Sequence, residues 1–102
     1  MTYSLDEENR EVVFLVQACL TQISQNFLYI ALTVQDPLLL TFALETDSDS
    51  DREAIEDIQA EFYAMHDDDP DIQVEVRVGL ESAPPPSDAR LIWVRKREWH
   101  AE

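Results

Sequence analysis

Asp47, Asp49 and Asp51 have the one, three, five spacing with which a calcium-binding loop presents its first carboxylates. Such a loop also needs a glycine at its sixth position for the sharp turn and a bidentate glutamate at its twelfth. Here those positions carry Arg52 and Ile58, so the calcium loop is excluded. The looser run Asp67 to Asp71 reads as solvated surface, and no metal site is expected. Catalysis needs a nucleophile or base with an orienting neighbour and a stabiliser for developing charge. Cys19 lies among apolar residues with no histidine near it in sequence. His66 falls at a helix end among aspartates, where it reads as an exposed, charge-compensating side chain, and His100 falls in the C-terminal tail. Gly79 is the only glycine, so no glycine-rich phosphate cradle can be built. Carboxylate pairs are too abundant for any one to be diagnostic, and a domain this small rarely supplies the cleft that glycosidase chemistry needs. No catalytic residue, cofactor or enzymatic activity is expected.

The chemistry that remains is recognition by charge. Between Asp47 and Asp71 lie eleven of the 22 acidic residues against a single arginine, Arg52. Residues 1 to 46 hold six acids and residues 47 to 81 hold thirteen, a clustering unlike the even spread of a salt-adapted surface. A large single-sign field is chiefly useful for steering an oppositely charged partner. The contact face is accordingly assigned to Asp47, Asp49, Glu53, Glu56, Asp57, Glu61, Asp67, Asp68 and Asp69, with Tyr63 or Trp99 as a hydrophobic anchor. The C-terminal stretch has the opposite character, for Arg90, Arg95, Lys96 and Arg97 are four of the seven bases and Trp93, Trp99 and His100 are interleaved with them. Such a patch could stack on single-stranded nucleic acid, but the rest of the chain would repel phosphates, and internal charge compensation is the preferred reading.

These residues need elements to position them. Val12, Leu15, Val16, Cys19, Leu20 and Ile23 are spaced for an amphipathic helix from about Leu5 to Ile23, with a capping box in Ser4 and Glu7. Phe27 to Val34 and Leu38 to Glu45 read as an antiparallel hairpin broken by Asp36-Pro37, apolar on both faces and so covered on both. A second helix fits Asp51 to about Met65, capped by Ser50 and Glu53, with Ile55, Ile58, Phe62 and Met65 inward. Ile72 to Val78 alternates as a strand with one wet face, Ala83 to Ser87 is a stiff extended loop, and Arg90 to Lys96 is a last strand. The order αββαββ is expected to form an α+β two-layer sandwich, a four-stranded antiparallel sheet with two helices on one face, as one domain over residues 1 to 102.

The formal charge of −15 disfavours direct contact with nucleic acid or an anionic membrane. One cysteine and no leader-like or membrane-length apolar run point to the cytoplasm. In size, acidity and architecture the chain resembles the immunity proteins that bacteria co-produce with toxins. The resemblance implies an inhibitor whose acidic face docks on the basic surface of a cognate toxin domain, a nuclease in the first instance. Two other readings are open: a nucleic-acid mimic or adaptor that binds basic proteins broadly, and a homo-oligomer subunit assembled through the apolar hairpin Phe27 to Leu44.

Overall fold

The structure, a computed structural model, describes residues 3–79 and 84–95. Helix α1 (Leu5–Cys19) starts where the sequence places it. The Ser4 hydroxyl accepts the Glu7 amide at 3.1 Å and the Glu7 carboxylate accepts the Ser4 amide at 3.1 Å. The helix stops one turn short of Ile23, because Leu20 leaves helical geometry and Thr21 takes a φ of 71°. Strands β1 (Phe27–Thr33) and β2 (Leu38–Leu44) pair as the antiparallel hairpin, and the intervening Asp36-Pro37 peptide is cis. Helix α2 (Asp49–Ala64) begins two residues before the expected start. Its cap is Ser48, whose hydroxyl accepts the Asp51 amide, in place of the expected Ser50 and Glu53 box. The Asp51 carboxylate, three residues on, is drawn instead to Ser24 and Asn26. Strands β3 (Ile72–Val78) and β4 (Arg90–Val94) complete the set.

The α+β architecture holds, but the sheet is mixed, not antiparallel throughout. Its order is β3-β2-β1-β4, with β3 parallel to β2 and β4 antiparallel to β1. The physical reason lies in α2. A helix between two strands supplies the long crossover that parallel neighbours require, so β3 returns beside β2 instead of forming a hairpin with β4. The hairpin β1 and β2 is thereby central, with both lateral edges used inside the chain. Its two faces are buried as well.

One face of the sheet packs on both helices. Leu15 and Cys19 of α1 and Ile55, Ile58 and Phe62 of α2 meet Phe27, Ile30, Leu32, Leu40, Phe42 and Leu44 in one cluster. Each such large apolar side chain contributes about 1.5–3 kcal/mol by leaving water. Cys19 belongs to this core, and burial pushes its thiol up to about 12, which keeps it protonated.

The other face has a different cover. β3 and β4 lie at opposite edges, and Pro84 to Ala89 are the described residues that precede β4. Ala89 packs on Tyr29, Ala31 and Ala43, the small second cluster on the face away from the helices. Arg77 of β3 reaches over this face and donates to the Tyr29 hydroxyl at 3.0 Å and to the Pro84 carbonyl at 2.9 Å. The proline-rich segment is therefore a strap that supplies the second cover of the doubly apolar hairpin. The hydroxyls of Thr33 and Thr41 are buried and have no hydrogen-bond partner among the described residues.

Candidate protein-binding face

Helix α2 sorts the acidic block by phase. Ile55, Ile58 and Phe62 occupy its buried side, so Asp49, Glu53, Glu56 and Asp57 project outward and Glu61 lies on the flank, all exposed. Asp67, Asp68, Asp69 and Asp71 continue the exposed acids through the turn into β3. No base stands in the last turn of α2, although the negative end of the helix dipole would favour one. Three aspartates follow there instead, which deepens the negative potential at that end.

Not every acid in the block belongs to this face. Asp51 is 6% exposed and accepts from the Ser24 hydroxyl and the Asn26 amide nitrogen, both at 2.8 Å. Asn26 in turn holds Thr46 through its main-chain amide, its carbonyl and its hydroxyl. Asp51 is thus the anchor that ties the entry of α2 to the loop before β1. Asp47 is bound to Arg52 at 2.6 Å, and that hydrogen bond, followed by the arginine's charge, holds its carboxyl below the usual range. The aspartates once spaced like a calcium loop therefore diverge: Asp47 faces Arg52, Asp51 faces inward, and Asp49 faces water. Among the described residues, no group of three or more His, Cys, Asp or Glu side chains is placed to hold a metal ion.

The arginines account for the rest of the field. Arg10 lies 3.8 Å from Glu11, Arg77 3.1 Å from Glu75, Arg90 3.0 Å from Glu8 and Arg95 2.7 Å from Glu45. The compensation expected for Arg90 and Arg95 is present, directed at α1 and the end of β2 and not at α2. Asp49, Glu53, Glu56, Asp57, Glu61, Asp67, Asp68 and Asp71 have no ion pair among the described residues. Lys96, Arg97, Trp99 and His100 lie outside the described residues, and with them the Trp99 anchor.

Tyr63, the other anchor, is 43% exposed and stands on α2 beside a shallow, open groove of about 470 Å³. Ala60, Pro70 and Ile72 contribute apolar lining, while Glu56, Gln59 and Asp71 bring polar groups to it. The Tyr63 hydroxyl donates to Asp69 at 2.7 Å. That bond, with partial burial and the charges of Asp69 and Asp71, pushes the phenol upward. Asp71 and Ile72 were not singled out as contact residues from the sequence. Their signal was Pro70, which turns the chain so that the first residues of β3 face α2 across the groove.

His66 corrects its sequence reading. Its imidazole is 2% exposed, not an exposed charge compensator, and lies between the rings of Phe14 and Phe62 at 5.2 and 4.8 Å. Nδ1 is 2.8 Å from the Phe62 carbonyl, and a carbonyl only accepts, so Nδ1 carries a hydrogen. Nε2 is 2.6 Å from the carboxyl of Glu11, itself buried on α1. The pair joins the helices from residues 55 positions apart, which no local pattern reveals.

Comparison with family models finds no match to this chain, and comparison with curated proteins finds none.

Proposed function

We propose that this chain is a protein-binding module that docks the outer side of α2 and its following turn on a basic surface of a partner protein. The observation that carries this reading is the distribution of ion pairs: every described arginine is committed to a carboxylate, and only Arg52 is spent within the acidic block. Carboxylates fixed on a helix and left unpaired keep their field for a partner, raising its encounter rate and setting its register. The resemblance in size and acidity to immunity proteins makes the partner a toxin domain, with a nuclease's substrate groove as the basic surface. Tyr63 beside the groove serves as the anchor.

The test is the salt dependence of association with the basic protein that co-purifies with the chain. Glu56→Lys/Asp57→Lys/Glu61→Lys should slow association by about 10- to 100-fold at low salt. An association rate that ignores both salt and charge reversal would sink the reading. Equal binding to a panel of unrelated basic proteins would replace a dedicated inhibitor by a broad nucleic-acid mimic.

A further inference from the structure

We infer that the outer edge of β3, together with the groove between it and α2, receives an extended, arginine- or lysine-bearing segment of the partner as a fifth strand; this rests on the acidic face being the docking surface. The phase of the β2/β3 ladder supports it. At its two ends the Leu38 amide donates to the Asp71 carbonyl at 2.9 Å and the Gly79 amide donates to the Leu44 carbonyl at 2.8 Å. In a parallel ladder this sets the odd-numbered residues of β3 to bond β2. The main-chain N–H and C=O of Ile72, Val74, Val76 and Val78 then point outward. Among the described residues no strand pairs with that side.

Edges of this kind are normally guarded by bulges, prolines, lysines or short length. β3 pairs through seven consecutive partners without a register shift and contains neither proline nor lysine, and its charged residues are Glu75 and Arg77. Its one base, Arg77, is held by Tyr29, Glu75 and Pro84 on the other face. The opposite edge strand, β4, is five residues long and its pairing carries a bulge.

An added strand sends alternate side chains to each face of the sheet. Those on the helix side enter the groove, where the carboxylates of Glu56 and Asp71 flank an apolar lining that includes Ile72. A long basic side chain suits this space, its methylenes on the apolar surface, its charge between the carboxylates and its head within reach of the Tyr63 ring. Charge selects against a second copy of this chain, which brings a formal −15 of its own.

Two synthetic peptides test this on the full chain at low salt: a heptapeptide alternating arginine and valine, and the same peptide with every internal main-chain nitrogen methylated. The first should slow hydrogen exchange at the amides of Ile72, Val74, Val76 and Val78 and bind about tenfold tighter than its twin, the weight of one or two net main-chain hydrogen bonds. Val74→Pro removes one outward N–H where edge strands tolerate proline, and should erase most of that difference. If Val74→Pro does not fold, the peptide pair decides alone. Equal affinities without protection at those amides overturn edge pairing and leave the acidic-face reading standing. Binding by neither peptide overturns both. Concentration-dependent protection of the same amides in the chain alone makes a second copy the occupant and also overturns the inference.

Discussion

Asp49 and Asp51 stand two residues apart in the first turn of α2, one facing water without an ion pair among the described residues and the other buried against Ser24 and Asn26. The same contrast runs the length of the helix. Its inner side is held at both ends by acids with assigned partners, Asp51 at the start and Glu11 against His66 at the finish. Its outer side carries Glu53, Glu56 and Asp57, which have no ion pair among the described residues. An acidic run is thus two populations: carboxylates that hold the fold and carboxylates that the fold holds out.

The sharpest way to break this division is at the buried pair. Glu11→Ala or His66→Ala leaves the other member desolvated and unpaired, and should cost about 3–5 kcal/mol in urea unfolding. A cost near zero would mean that the pair does not bridge the helices. Next comes Asp51→Ala, which strands Ser24 and Asn26 and should cost about 1.5–3 kcal/mol, the range of hydrogen bonds to a charged group. If Asp51→Ala is as mild as a change at Asp49, the inner and outer sides do not differ as described.

A smaller effect is expected at the exposed cap of α1. Ser4→Ala should cost about 1 kcal/mol. In the intact cap, hydrogen bonds with the main chain and side chain of Ser4 hold the Glu7 carboxyl below its ordinary value. Because the folded value is the lower one, the stabilisation is complete above the unfolded value of about 4.3 and fades as pH falls through the folded value. Titration of Glu7 by NMR should therefore move upward in Ser4→Ala. The smallest change in stability belongs to the outer side. Each of the reversals at Glu56, Asp57 and Glu61 should stay within about 0.5 kcal/mol in unfolding, while the triple variant loses partner association. A large loss of stability there would move these acids into the structural population.

What was legible in the sequence followed from local rules. The Ser4 and Glu7 box, the hairpin around Asp36-Pro37, the inward stripe of Ile55, Ile58 and Phe62, and the alternation of β3 each depend on residues within a few positions of one another. Misreadings arose where a distant partner decides. The parallel pairing of β3 depends on where α2 returns the chain. His66 is buried because Glu11 and Phe14 come to meet it. Ser48 caps α2 ahead of Ser50, because Asp51 is engaged by Ser24 and Asn26. The outer acids of α2 were recoverable since helical phase alone turns them outward, whereas the groove needed the approach of Pro70 and Ile72, which periodicity does not encode.

The strap across the sheet also orders assembly in time. β1 and β4 are neighbours in space, with Tyr29 opposite Val94, yet more than half of the chain lies between them. Closing so large a loop costs more entropy than forming the hairpin or the helices, so β4 should dock late, after β3 has found β2. Until then β1 exposes an apolar edge. On the ribosome, that edge has no cover until Arg90–Val94 has been made.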